Sequence, residues 1–296
     1  MRINRKEAWQ SFLLVAPSVA LIAVFVYGFI GWTARVSLSE WKGLLPDYTW
    51  AGFSNFAELL ADPRFMIDVR NTVLFTVFFV GGSLALGLGL AICLDQGLRG
   101  EGIFRAIYLF PMALSFIVTG VVWRWLMNPA MGSRLSGLNL LFHNLGLDFL
   151  INEWHTTPFW GIIAIALPAV WQMSGFCVAM YLAGLRAIPD ELIESARVDG
   201  ASEFQVYSTI VLPILRPVTF SSMIILGHMS LKVFDLIMAV GGKQIPLDVP
   251  AMYMWQVTFE GLFYGKGAAI GLLLLLSVAV LIIPYIIYTL RGETEL

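Results

Sequence analysis

The sequence predicts an all-α polytopic membrane protein: six transmembrane helices, interrupted once by a polar helix-turn-helix elbow. Three observations carry this. Of 296 residues, 58% are hydrophobic and only 13% charged, with a mean hydropathy of +0.80, whereas soluble chains carry about 25% charged residues. The missing charges leave segments of about 20 apolar residues, long enough to cross about 30 Å of hydrocarbon. Between two of these, residues 188–217 are polar, charged and bracketed by prolines. A net charge of −2, with no basic run suited to phosphate contact, excludes nucleic acid as a partner.

Arg2, Arg5 and Lys6 make residues 1–11 a basic tail before the apolar run 12–34. That run is too long for a secretory signal and lacks a convincing cleavage site, so it reads as a retained first span with its basic end inside. Residues 35–70 hold more acids than bases, with Trp41 and Trp50, as expected of an external loop near an interface. Asn71-Thr72 opens the second span, to about Leu94. Along it Gly81, Ala85 and Gly89 recur every four residues, a face that lets another helix approach closely. After an inside loop from Asp95 to Arg105, the third span runs from Ile107 to about Leu126, kinked or started by Pro111. Arg124, between Trp123 and Trp125, either reaches the headgroups or contacts a solute.

Asn128 to Pro158 reads as an external cap. Its His143 and His155 lack nearby Cys, Asp or Glu at ligand spacing, so no metal site is predicted. Phe159 to Leu185 is the fourth span and Val218 to Val240 the fifth; an outside loop, Gly241 to Gly265, leads to the sixth, Ala268 to Leu290. A short tail, 291–296, ends inside. Cys93 and Cys177 fall in different apolar segments and read as packing residues. Lys and Arg number nine in the proposed inside segments and seven in the longer outside ones, which puts the elbow and both tails in the cytoplasm.

The elbow starts with Ile188-Pro189-Asp190-Glu191, proline at a first helical position and acids in the first turn. Leu192, Ile193 and Ala196 give this short helix an apolar stripe, and Asp199-Gly200 can end it. Ser202 and Gln205 fit a capping box that begins a second short helix, with Phe204, Tyr207 and Val211 on one face. Leu212-Pro213 and Arg216-Pro217 mark the return to the membrane.

Glu194, Ser195, Ala196, Asp199, Gly200, Ala201 and Phe204, with Leu212-Pro213 and Pro217, resemble the EAA loop of binding-protein-dependent ABC importer permeases. Ser195 replaces the usual second alanine and is small enough to keep the surface. The resemblance runs from Phe53 to the last apolar segment and is closest to the carbohydrate-uptake branch, the maltose, glycerol phosphate and glucose permeases. It implies a type I importer permease: a core over 71–290 with the coupling loop at 188–217, in the cell inner (cytoplasmic) membrane. It further implies a cytoplasmic ATPase dimer that holds ATP and Mg and docks on the elbow, a second homologous permease, and an external sugar-binding protein.

The fifth span carries His228, Ser230, Lys232 and Asp235 in an otherwise apolar run, residues that are expensive in lipid and usually face a cavity or bundle interior. Lys232 and Asp235, three apart, share a helical face on this reading and either pair to fix packing or line a translocation path. In the fourth span Trp171, Gln172, Ser174 and Phe176 offer an aromatic platform with amide and hydroxyl groups, suited to a sugar, though Trp171 and Phe176 serve equally as packing or lipid-facing residues. The wording around Asp95-Gln96-Gly97, Pro111 to Ser115 and Lys232 to Asp235 resembles glucose and mannose permeases, which inclines the substrate towards a monosaccharide. No phosphate-binding loop and no catalytic set is present in the sequence, so the chain is predicted to bind no cofactor and catalyse nothing. An ion-coupled secondary transporter is the alternative; it leaves the elbow unexplained.

Overall fold

The structure, a computed structural model, describes residues 5–97 and 99–293, with side chains between 12 and 287. Arg2 and the acidic end lie outside the described residues, as do the side chains of Arg5, Lys6 and Arg291. Among the described residues all regular structure is helical except an isolated bridge between Ser39 and Trp50. In chain order the α-helices are α1 (Arg5–Ile22), α2 (Phe29–Ser37), α3 (Ser54–Ala61), α4 (Pro63–Asp95), α5 (Glu101–Leu109), α6 (Phe116–Leu126), α7 (Gly137–Asn144) and α8 (Gly161–Leu185). Then follow α9 (Asp190–Val198), α10 (Glu203–Val206), α11 (Leu212–Ile214), α12 (Arg216–Leu231), α13 (Asp235–Gly241), α14 (Pro250–Trp255) and α15 (Tyr264–Glu293).

Among the described residues four continuous stretches are long and apolar enough to cross a membrane: Phe12–Ser37, Pro63–Asp95, Gly161–Leu185 and Tyr264–Ile287. The third predicted span is a broken one. Glu101–Ala113 and Phe116–Leu126 meet at 100°, because Pro111 sits in a 3-10 turn, Phe110–Ala113, and the Ser115 hydroxyl accepts from the Val118 N–H to start a fresh helix. The second span also differs, beginning eight residues earlier than Asn71 suggests. Pro63 opens it at the first helical position, where the missing N–H costs nothing.

Contacts divide the chain into two units, Met1–Asp62 with Tyr253–Leu276, and Pro63–Met252 with Ser277–Leu296. In the first, the Asn55 amide donates to the carbonyls of Ser37 and Ser39, both at 2.9 Å, which holds α3 against the end of α2. Trp41 packs between Tyr48 and Tyr264. Asp62 accepts from the Tyr253 hydroxyl at 2.6 Å and pairs with Lys266 at 3.4 Å.

In the second unit α8 is central, and its main partner is α4. They touch through Gly87, where a Cβ would stand 2.2 Å from the Cys177 Cβ. The predicted close-approach face is therefore corrected. Nothing stands within 4 Å of Gly81 or Gly89, and Ala85 is exposed. Those two glycines lie two residues from Ser83 and Gly87, about 200° around a helix, and the bulky stripe Phe75, Phe79, Ala91 and Leu94 decides which side is buried. Cys177 is buried as expected, whereas Cys93 is exposed.

Asn71, read as a helix start, is instead an anchor: its amide donates to the carbonyls of Pro246 and Asp248 at 2.9 and 2.8 Å. Asp248 is 2% exposed and paired with Arg64. Burial raises its carboxyl above the ordinary value, with the Arg64 guanidinium pulling the other way. The folded group thus takes up a proton more readily than the unfolded one. Its contribution to stability is present below the ordinary carboxylate value and is lost as pH rises through the raised folded value. At neutral pH the ionised group depends on Arg64. Arg64→Ala is expected to cost about 3 kcal/mol at pH 7, less at pH 4.5, by stranding a buried charge, whereas Asp248→Asn costs under about 1 kcal/mol. Thermal unfolding in detergent at the two pH values checks both.

Candidate functional site

Two features stand out in the second unit, the elbow and a cavity at a broken helix. The elbow's first arm, α9, starts one residue after Pro189. Gly200 takes φ +84, and the N–H groups of Gly200 and Ala201 donate to the carbonyls of Arg197 and Ala196 at 3.1 and 3.0 Å. This is the paired closure of a Schellman turn, which needs a left-handed residue where Gly200 stands. The capping box forms as the sequence predicts: the Ser202 hydroxyl accepts from the Gln205 N–H, and the Gln205 side chain accepts from the Ser202 N–H at 2.8 Å. Arg197 clasps Glu203 through two contacts, at 2.8 and 3.1 Å, locking the two arms together. That pair holds the Glu203 carboxyl below its ordinary value.

Ile193, Ala196, Ala201 and Tyr207 pack against the core, and Val206 and Val211 are buried. Phe204 does not share that face, contrary to the sequence reading. In α10 the inward residue is Val206, about 200° around the helix from Phe204, and the π turn over Tyr207–Val211 shifts Val211 out of register with Phe204. Phe204 is 81% exposed, with Val198 at 86%. Glu194, Ser195, Asp199 and Gly200 are exposed beside them. The elbow thus has a rigid, buried underside and an outer ridge that is partly apolar.

The fifth span breaks where its charges are. Helix α12 ends at Leu231 and α13 starts at Asp235, with Phe234 in a non-helical conformation. Lys232 and Asp235 therefore share no helical face, which corrects the reading of a continuous helix, and of the two uses open to them they do not make the ion pair with each other. Both are exposed and line a cavity of about 170 Å³, with Phe75, Phe79, Phe116 and Phe234 among its walls. Phe75 and Phe79 stack at 5.4 Å.

The remaining predicted path residues are used differently. Ser230 is buried, donating to the Gly227 carbonyl at 2.7 Å and accepting from Thr76 at 2.8 Å. His228 is half-buried one turn before Lys232. Trp171 meets Trp123 at 5.9 Å. The Ser174 hydroxyl donates to the Trp171 carbonyl at 3.0 Å, and Phe176 packs on the core. Gln172 donates to the Leu114 carbonyl at 2.6 Å and so secures the break in the third span. In the cap, His143 pairs with Asp148 at 2.8 Å, while burial and the Arg124 charge lower the basicity of His155. Among the described residues no three His, Cys, Asp or Glu side chains gather as metal ligands would.

A family model described as binding-protein-dependent transport system inner membrane component matches residues 83–290. The chain belongs to this family. A probable ABC transporter permease protein of Pyrococcus horikoshii is 41% identical, over 95% of this chain and 96% of its own. The xylose/arabinose import permease protein XacH of Haloferax volcanii is 35% identical over 90% and 84% of the two chains. The trehalose/maltose transport system permease protein MalF of Thermococcus litoralis is 30% identical over 96% and 95%. A crystal structure of a bacterial ABC transporter involved in the import of the acidic polysaccharide alginate superposes with a TM-score of 0.79 over 97% of this chain and 96% of that one, at 21% identity, and shows the shared fold.

As a binding-protein-dependent transport component, the chain is a membrane-embedded permease and not an enzyme. The family match takes in the elbow and the broken fifth span, while Phe75 and Phe79 precede it. Sequence reasoning missed these two phenylalanines, with Phe116 and Phe234. The four-residue spacing of Phe75 and Phe79 puts them on one helical face, but nothing in the pattern says that a cavity lies beside it. Also missed was the clasp between Arg197 and Glu203, six residues apart across the Gly200 turn.

Proposed function

We propose that this permease is one membrane subunit of an ATP-driven sugar importer, set in the inner (cytoplasmic) membrane with its N-terminus inside. A cytoplasmic ATPase dimer holding ATP and Mg docks on the ridge around Glu194, Ser195, Ala196, Asp199, Gly200, Ala201 and Phe204. A second, related permease completes the path, and an external binding protein delivers the sugar. The observation that carries the reading is the cavity at the broken fifth span. Aromatic walls suit the apolar face of a sugar, and a lysine and an aspartate that do not neutralise each other suit its hydroxyls. Relatives named for xylose/arabinose and trehalose/maltose uptake support the substrate class. A solved alginate transporter in complex with its substrate-bound periplasmic protein supports the external partner. The small volume favours one ring, a monosaccharide such as glucose or mannose.

Affinity purification of the tagged chain in mild detergent, then uptake of labelled glucose, mannose, xylose and maltose by proteoliposomes holding the purified complex, tests this. An ATPase and a second permease should copurify. Lys232→Ala and Asp235→Asn should each lower uptake about tenfold, the loss of one charge-assisted hydrogen bond. Ser230→Ala should change uptake less than about twofold, because its hydroxyl is held within the protein. Unchanged uptake in both charge variants would remove the cavity from the path, and a homo-oligomer without an ATPase would overturn the importer.

A further inference from the structure

The root of the elbow is tied to two other helices through two carboxylates, Glu101 of α5 and Asp95 of α4. Arg186 follows α8 directly and stands three residues before Pro189. Its Nη2 donates to Oε1 of Glu101 at 2.7 Å, and its Nε lies 3.6 Å from Oδ1 of Asp95, the last residue of α4. Arg105, one turn along α5, donates to the same Glu101 oxygen. Glu101 therefore joins the first turn of α5 to the point where α8 becomes the elbow, across 85 positions of sequence.

These groups sit at the protein surface, with side chains 23% exposed for Glu101 and 45% for Arg186. Ion pairs of that kind add little to folding stability. Their placement gives them another use. Helix α5 runs from Glu101 into the 3-10 turn Phe110–Ala113; Gln172 of α8 holds Leu114 just beyond it, and after the turn Phe116 lines the cavity. A short run of chain, α5 with its turn and the first residue of α6, thus connects the elbow's root to the cavity wall across the 100° break.

We propose that Glu101 is a positioning residue that tethers the elbow to the broken third span, so that displacement of the elbow turns α5 and moves Phe116 at the cavity. This rests on the elbow being the docking point of an ATPase, as proposed above. Asp95 makes the looser contact, 3.6 Å from Arg186 against 2.7 Å for Glu101.

The test uses the complete transporter in proteoliposomes, with its ATPase and binding protein, and measures sugar taken up per ATP hydrolysed. Glu101→Gln is expected to assemble normally and to hydrolyse ATP within about twofold of the native rate, as removal of a surface ion pair allows. Uptake per ATP should fall at least about fivefold, the smallest coupling change usual between distant sites. Glu101→Asp should recover most of the ratio. A purely structural role would reduce the amount of assembled complex, or both rates together, with the ratio unchanged. Either result, or a native ratio in Glu101→Gln, overturns the tether. Absence of ATP-driven uptake by the native complex would instead overturn the importer reading, and the tether with it.

Discussion

Gly200→Pro is expected to abolish uptake while the chain still inserts in the membrane. Proline holds φ near −65°, whereas Gly200 sits at +84. It also lacks the N–H that Gly200 gives to the Arg197 carbonyl. The two effects should cost about 3 kcal/mol or more at the turn, equivalent to about a hundredfold in any equilibrium that requires the native elbow. Gly200→Asn, which tolerates the left-handed region, should keep most of the activity. Glu194→Lys approaches the same surface without touching the turn and should also stop transport, by reversing a charge on the exposed ridge. Uptake assays beside membrane quantification by blotting decide the matter: normal transport in both Gly200→Pro and Glu194→Lys would take the elbow out of the mechanism.

Gly87→Ala is expected to destabilise the protein in a way that a compensating change partly restores. A Cβ there would lie 2.2 Å from the Cys177 Cβ and 3.1 to 3.2 Å from its backbone. Neither backbone can withdraw easily, since α4 and α8 form the centre of the second unit. Overpacking of this kind costs about 1–3 kcal/mol, occasionally more, and this site belongs at the upper end. Cys177→Ala keeps the offending Cβ and should not help. Gly87→Ala with Cys177→Gly moves the missing Cβ to the other helix and should regain about half of the loss, a coupling that a double-mutant cycle reads directly from thermal unfolding. Equal stability for Gly87→Ala and the native chain would mean that the two helices do not approach this closely.

How far the fold was legible depends on what each residue needed from its surroundings. The capping box at Ser202 and Gln205 and the turn at Gly200 are local chemistry, with their partners within a few positions, and the sequence predicts both. The apolar lengths that mark membrane spans are local too. The breaks are not. A three-residue spacing between Lys232 and Asp235 implies a shared face only if the helix continues, and the helix stops at Leu231. Helical spacing likewise grouped Phe204 with Val211 until the π turn changed the repeat. Gly81, Ala85 and Gly89 form the more regular small-residue pattern, yet Gly87 makes the contact, because the large residues Phe75, Phe79 and Leu94 of the same helix decide which side is buried. Of the residues predicted to line a path, Lys232 and Asp235 reach the cavity, while Ser230, Ser174 and Gln172 bond within the protein.

The interruption at Lys232-Val233-Phe234 binds the shape of the fifth span to water. Two helix ends facing each other leave main-chain donors and acceptors that no helix satisfies, and in dry hydrocarbon each would cost several kcal/mol. The Val233 N–H turns back to the Ser230 carbonyl, and the rest of the gap borders the cavity rather than hydrocarbon. Any movement that squeezes the cavity empty must therefore either rejoin the two segments into one continuous helix or bring other polar groups to the exposed main chain. Emptying this cavity and straightening the span are thereby coupled into a single event.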